Sequence, residues 1–93
     1  MKQRMRIYAK DISADTQVEV GECYLLGANI YHTTDTSLDV YEGTAATAAN
    51  LKIKVATTDE QQSNSIMFPK PGIKCNGIYA DWTAGDGTVY YAK

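Results

Sequence analysis

Hydrophobic and polar residues alternate along several short segments of this chain. In residues 51–55 three apolar side chains alternate with two lysines, and residues 38–41 and 78–82 have the same pattern. Successive side chains of a β-strand point to opposite faces of its sheet. The alternation therefore predicts three strands that bury one shared face, formed by Leu38, Val40, Leu51, Ile53, Val55, Ile78 and Trp82.

Further strand patterns recur along the chain with turn residues between them. We predict strands at residues 4–10, 16–20, 22–33, 65–68 and 88–92, with a tight turn at Asn76-Gly77. In the first strand Met5, Ile7 and Ala9 are predicted to face inward. Gly27, inside a long apolar run, is expected to mark a bulge or a bend.

Only one segment, residues 43–50, favours a helix by its alanine content. It is too short to be stable alone, and Gly43 favours a loop with at most one helical turn. The pattern of strands and turns therefore predicts an all-β fold with seven to eight short strands and no substantial helix. We expect one domain over residues 1–93, a small antiparallel β-sandwich resembling a jelly roll, with a small barrel as the competing architecture.

Charge and composition narrow the range of partners. The formal net charge of −2 gives no electrostatic case for binding nucleic acid or an anionic membrane. The basic residues Lys2, Arg4 and Arg6 are expected to keep a first or edge strand soluble. No apolar run approaches the roughly 20 residues of a membrane span, and the N-terminus lacks the apolar core of a secretory signal. We therefore expect synthesis in a cytoplasm, unless a precursor segment has been removed.

Two cysteines, Cys23 and Cys75, are far apart in sequence and match neither a zinc site nor a CxxC redox motif. Free cysteines are commonly buried as small apolar residues, whereas a disulfide could join two strands. A cytoplasmic origin argues against the disulfide, and the sequence leaves both alternatives open.

Motifs for catalysis or for cofactor binding are absent from the sequence. His32 is the only histidine, and no sequence motif supplies the orienting partner or nucleophile that a general base needs, although distant residues could meet in the fold. Asp86 lies between two glycines, where turn geometry accounts for it. No calcium loop, P-loop or Gly-x-Ser-x-Gly motif occurs. We predict no enzyme activity, no cofactor and no metal site.

Tyrosine is the more informative residue type, since seven of the nine aromatic residues are tyrosines. The strand pattern directs Tyr24 and Tyr91 toward the core and the other five outward. Tyrosine offers a large contact area with a hydrogen-bonding tip and is enriched in interfaces, although it is also an ordinary strand residue. The candidate protein-interface residues are Tyr8, Tyr31, Tyr41, Tyr79 and Tyr90.

The order of these elements resembles that of small β-sandwich virion structural proteins of tailed bacteriophages. The similarity begins with a strand that contains a central glycine, CYLLGANIYHT, and one that enters a small-residue loop, SLDVYEGTAATAAN. The alternating strand LKIKVAT follows, and then a segment with Asn-Gly-Ile-Tyr before a glycine turn and a tyrosine-rich end. The basic N-terminus and the two cysteines depart from this pattern.

The resemblance implies a non-enzymatic virion protein that is assembled in the host cytoplasm. Its expected role is that of a capsid decoration or cement protein, which binds the major capsid protein or other virion proteins and stabilises the shell, often as a homo-oligomer. One alternative is a head-fibre or tail component. Another is a carbohydrate-binding module with outward tyrosines and Trp82 as a stacking platform, although the strand pattern places Trp82 in the core.

Overall fold

A computed structural model describes residues 5–93 of the chain, so the predictions for Lys2 and Arg4 lie outside the described residues. The described chain forms seven strands: β1 (Ile7–Ile12), β2 (Thr16–Tyr31), β3 (Thr36–Glu42), β4 (Leu51–Thr57), β5 (Ser63–Met67), β6 (Ile73–Trp82) and β7 (Asp86–Ala92). The single helical element within residues 5–93 is a 3₁₀ turn, Ala48–Asn50, in the alanine-rich loop. The all-β prediction is confirmed.

All strand pairs are antiparallel and belong to one sheet, with the order β1-β7-β2-β6-β3-β4 and β5 attached to β2. Residues 16–25 of β2 pair with β6, and residues 24–31 pair with β7. Because Tyr24 and Leu25 pair with both strands, β6 and β7 lie on opposite edges of β2. The pairing of β2 with β6 stops at Leu25, opposite the first residue of β6, Ile73. Beyond this point β5 pairs with the same edge of β2, at residues 27–31.

The long strand β2 therefore takes part in two layers. One layer is β1-β7-β2-β5 and the other is β2-β6-β3-β4, and the core lies between them. A Cβ atom added to Gly87 of β7 would lie 3.0 Å from Leu38 Cδ2 of β3, although these strands do not pair. The two layers thus pack face to face, which is consistent with a small sandwich.

Most of the predicted shared core is buried. Leu38, Val40, Ile53, Val55 and Ile78 are at most 1% exposed, and Trp82 packs against the same cluster while partly exposed. The prediction for Leu51 was wrong, because this side chain is 40% exposed.

A bulge in β4 explains the exposure of Leu51. Val40 lies opposite Ile53, but the next residue, Tyr41, lies opposite Leu51, so β4 contains one extra residue, Lys52, at this point. A one-residue shift moves a strand side chain to the other face of the sheet.

Two further differences from the sequence prediction lie close to glycines. The predicted strands 16–20 and 22–33 are one strand, β2, with register shifts between residues 17 and 22. The predicted tight turn at Asn76-Gly77 is wrong, because both residues lie inside β6. Gly77 has a φ of +94° and lies against the backbone carbonyl of Gly43, a position where a side chain would be crowded. The predicted irregularity at Gly27 is confirmed by a register shift in the β2–β7 pairing.

The predicted inward face of β1 is reversed in the structure. Tyr8 lies opposite Tyr91 and Ile12 lies opposite Gly87, so the even-numbered residues of β1 point toward the inner side. Ile12 is 1% exposed, whereas Met5 and Ile7 are 47% and 65% exposed. Pairing with β7 in the register that buries Ile12 turns the odd-numbered apolar side chains outward.

Candidate functional site

The five candidate tyrosines do not form one surface. Tyr31 is 48% exposed and Tyr8 is 36% exposed, whereas Tyr79 and Tyr90 are half-buried and Tyr41 is buried. Tyr91, which was predicted to face inward, is buried. The five tyrosines predicted as one interface therefore differ in how far their side chains are exposed, from buried to half-exposed.

The prediction for Tyr41 was wrong, because only 9% of this residue is exposed. It lies on the outer face of its layer, directly opposite Tyr79 of β6 and Leu51 of β4. Side chains directly opposite each other share a face and contact across the ladder. This burial raises the pKa of the Tyr41 hydroxyl, with a further contribution from the charges of Asp39 and Asp81.

The predicted outward orientation of Tyr8 was also wrong. Its ring stacks on that of Tyr91 with centroids 5.3 Å apart, on the inner side of the sheet. The Nζ atom of Lys93 lies 5.8 Å from the centroid of the Tyr8 ring. Tyr8 remains partly exposed because β1 is an edge strand of the described sheet.

Tyr31 and Tyr90 lie on the outer face of the β1-β7-β2-β5 layer but border different depressions. The Asn29 side chain donates a hydrogen bond of 3.0 Å from Nδ2 to the Tyr90 hydroxyl. On one side of this pair is a polar cleft of about 510 Å³. Its lining residues are Asn29, Ile30, Tyr31, Gln61, Ser63, Asn64 and Ser65.

On the other side is an apolar depression of about 440 Å³, which we call the outer groove. It is lined by Met5, Ile7, Leu26, Met67, Phe68, Lys70, Pro71, Tyr90 and Ala92. Three of its large apolar side chains, Met5, Ile7 and Met67, are between 47% and 65% exposed. Contiguous exposed apolar side chains are candidates for an interaction surface, whereas single exposed apolar residues are ordinary.

The segment between β5 and β6, residues 68–72, forms one wall of the outer groove. Phe68 N–H donates a hydrogen bond of 2.8 Å to the Leu26 carbonyl, and Gly72 N–H donates one of 2.8 Å to the Pro69 carbonyl. Gly72 has a φ of +89° and is so close to the Leu25 carbonyl that a side chain would overlap it. These contacts hold the wall against β2.

The opposite wall of the outer groove belongs to the edge strand β1. Among the described strands β1 pairs only with β7, so one side of its backbone has no strand partner there. An open strand edge offers N–H and C=O groups to a further strand. The apolar side chain of Ile7 and this open edge are therefore adjacent parts of one surface.

The last residue, Lys93, fixes the start of β1. Arg6 and Lys93 exchange two backbone hydrogen bonds of 2.9 and 3.0 Å. The Lys93 side chain then forms a salt bridge of 2.9 Å with Glu19 of β2. The hydrogen bond from Lys93 is the main reason that the pKa of Glu19 is lowered, against the opposing effect of burial.

The outer face of the other layer carries a row of carboxylates instead. Asp39 lies opposite Asp81 in the ladder, and Asp15 Oδ1 accepts a hydrogen bond of 2.8 Å from Trp82 N–H. Burial raises the pKa of Asp81, and the nearby Asp15 and Asp39 raise it further. Lys54 partly balances this charge at 3.8 Å from Asp39.

The remaining candidates for a chemical role are His32 and possible metal ligands. His32 is half-buried beside Gly85, and its backbone N–H donates to the Gln62 carbonyl at 2.9 Å. Within residues 5–93, no group of three or more His, Cys, Asp or Glu side chains is arranged to hold a metal ion. No helix in the described chain has the length and hydrophobicity needed to cross a membrane.

The outer groove was not recognised in the sequence. Its residues come from four strands, the loop after β5 and the residues just before β1, and the sequence prediction had turned Met5 and Ile7 inward. The signal that could have revealed it is the pair of prolines that interrupts the β5–β6 edge.

Comparisons with protein-family models, with curated proteins and with solved structures found no match for this chain.

Proposed function

We propose that this protein is a non-enzymatic structural component of a phage virion, a capsid decoration or cement protein that docks on the shell through its outer groove. The observation that carries the docking mode is the cluster of exposed Met5, Ile7 and Met67 around an apolar depression. The phage setting rests on the resemblance in the order of strands and turns. The major capsid protein is the proposed partner, and the virion is the proposed location.

The physical chemistry of the groove favours protein docking. Covering apolar surface contributes about 25 cal/mol for each Å² removed from water. Methionine side chains adapt to irregular partner surfaces, and two of the three exposed side chains are methionines. A repeated shell presents many identical sites, so that modest affinity for each site still gives high occupancy when several copies bind together.

The test is co-sedimentation of the protein with capsids of the candidate phage. Lysine at Ile7 or Met67 would place a charge in the groove, and we expect I7K or M67K to weaken saturable binding at least about tenfold, which is the effect of about 1.4 kcal/mol. The matched control is V20K, because Val20 is 72% exposed and does not line the groove.

Each outcome of this test is informative once circular dichroism shows that the variants are folded. Loss of binding in I7K and M67K, with binding retained in V20K, supports docking through the groove. Equal binding by all three variants contradicts it. Absence of binding by the unmodified protein, together with a stable oligomer in solution, favours the alternative of a head-fibre or tail component.

A carbohydrate-binding function is the second candidate, and the polar cleft is the observation that favours it. Tyr31 offers an exposed ring beside amide and hydroxyl groups that can bond to sugar hydroxyls. Trp82 is less suited as a platform, since it packs on the core and its Nε1–H donates a hydrogen bond of 2.9 Å to the Gly85 carbonyl. A glycan array with the Y31A variant as control distinguishes this function from docking on a shell.

A further inference from the structure

The two cysteines lie directly opposite each other in the fold. Cys23 of β2 pairs with Cys75 of β6 in the antiparallel ladder, so their side chains share a face. Both are free thiols, both are 2% exposed, and both belong to the buried core cluster. The sequence left a disulfide between two strands open as an alternative, and the register now places the two residues opposite each other.

The spacing of such a pair suits a covalent bond. Opposite residues of an antiparallel ladder have Cα atoms about 4.5 or 5.5 Å apart, depending on the hydrogen-bonding position. Disulfides span Cα separations of about 4.4–6.8 Å, and so both spacings fall within this range. Closure requires the Cβ atoms to move from about 4.5–5.5 Å to about 3.5–4.5 Å apart.

The ladder beside the pair can accommodate that movement. The register of β2 on β6 shifts between Glu19 and Glu22, so regular pairing resumes only one residue before Cys23, at the pair of Glu22 with Asn76. Residues in such an irregularity are not fixed by a continuous set of ladder hydrogen bonds. A small approach of the two strands at Cys23 therefore needs to displace only one regular pair on that side, Glu22 with Asn76.

We propose that Cys23 and Cys75 are a redox modification site, which forms a cross-strand disulfide when the protein meets an oxidising small-molecule disulfide such as oxidised glutathione. This inference does not depend on the proposed docking function. It assigns a reduced and an oxidised form to the same fold, with the reduced form matching the free thiols of the structure.

The reaction proceeds by two thiol–disulfide exchanges. The thiolate of one cysteine attacks a sulfur of oxidised glutathione, which forms a mixed disulfide and releases one glutathione thiolate. The thiolate of the second cysteine then attacks the protein sulfur of the mixed disulfide, which forms the Cys23–Cys75 bond and releases the second glutathione. The two protons lost by the cysteines are taken up by the two glutathione thiolates, so the protein is oxidised by two electrons and one glutathione disulfide is reduced.

Closing the bond has a defined consequence for the fold. The covalent loop between Cys23 and Cys75 encloses β3, β4 and β5. In the chain-entropy account, a bond that closes a long loop stabilises the folded state by restricting the unfolded chain. The oxidised form is therefore expected to unfold at a higher temperature than the reduced form.

The experiment compares protein refolded in reduced glutathione with protein refolded in oxidised glutathione, so that burial of the thiols does not limit access by the oxidant. Intact mass, thiol titration in denaturant and peptide mapping identify the bond. We expect a monomer lighter by two hydrogen atoms, no titratable thiol, a Cys23–Cys75 cross-link, and an unfolding midpoint raised by about 5 °C or more.

The C23A and C75A variants are the matched controls. Each retains one cysteine, and we expect neither to gain an internal bond or a higher unfolding midpoint in oxidised glutathione. The proposal is overturned if the unmodified protein keeps two titratable thiols after oxidative refolding, or forms only glutathione adducts or disulfide-linked dimers. A closed bond that lowers the unfolding midpoint relative to the reduced protein also contradicts it.

Discussion

Two apolar residues of β4, Leu51 and Ile53, lie two positions apart yet have opposite environments. Ile53 is 1% exposed within the core, whereas Leu51 is 40% exposed beside Tyr41 on the outer face. The extra residue, Lys52, separates them, and its side chain forms a salt bridge of 3.8 Å with Glu42. At the scale of single residues, location relative to one bulge therefore decides how much an apolar side chain contributes to stability.

Truncation of these two residues should separate their contributions. We expect Ile53→Ala to lower the free energy of unfolding by about 2–5 kcal/mol, because it removes buried methyl groups and leaves a cavity. Leu51→Ala, the matched control, should change it by about 0.5 kcal/mol or less. Urea unfolding measures both, and similar losses for the two variants would contradict the bulge.

At the scale of elements, the position of β5 depends on Gly27. A side chain at Gly27 would overlap the Ile66 carbonyl oxygen and Met67 of β5, which pairs with β2 at this point. Gly21 lies in the same strand, but a Cβ atom there would meet only the Glu19 carboxylate at 3.6 Å. The same substitution therefore has different consequences at the two glycines.

We expect Gly27→Ala to destabilise the protein by about 1–3 kcal/mol, since β5 must move away from β2. Gly21→Ala should have a much smaller effect, because the added methyl group makes only an ordinary contact. Thermal unfolding gives the stability, and hydrogen exchange at Met67 and Phe68 reports the separation of β5. Unchanged exchange and stability in Gly27→Ala would show that β5 does not require this close approach.

The elements also show how far local pattern determines this fold. Alternation correctly identified the strands and most of the buried residues of β3, β4 and β6, because each has one face in the core. It failed for β1, whose orientation is set by its register on β7, a strand at the other end of the chain. The outer groove depends on that same register. The two prolines between β5 and β6 point to one of its walls, but no local pattern indicates the wall formed by β1.

At the scale of the whole molecule, the ion pair of Lys93 with Glu19 joins the end of the chain to the long strand β2. Lys93 also pairs with Arg6 through its backbone, so this residue connects the start of β1, the end of β7 and β2. Glu19 is the partly buried member, with 12% of its side chain exposed. The charge of the Glu19 carboxylate therefore stabilises the position of Lys93, and through Lys93 the start of β1.

The lowered pKa of Glu19 predicts the direction of a pH effect. A carboxyl group whose pKa is lower in the folded state adds stability above its unfolded pKa, and that stability is lost as the pH falls through the folded pKa. We expect Glu19→Gln to lower the free energy of unfolding at pH 7 and to have a smaller effect in acid, below the pKa of the folded carboxyl.

Urea unfolding at neutral and acidic pH measures this difference. Glu60→Gln is the control, because Glu60 is exposed in the loop before β5 and should have little effect at either pH. A loss of stability in Glu19→Gln that is the same at both values of pH would show that the charge of Glu19 does not contribute.

The position of β2 in two layers has a consequence for how the chain folds during synthesis. All three strands that pair with β2, namely β5, β6 and β7, are made after it. During synthesis β3 can pair with β4 as soon as both strands have emerged from the ribosome. The longest strand, β2, has none of its three pairing strands at that stage. Folding of β2 is therefore expected to begin only once β5, β6 and β7 have emerged, so the growing chain exposes the apolar face of β2 to its surroundings while β3 and β4 are made.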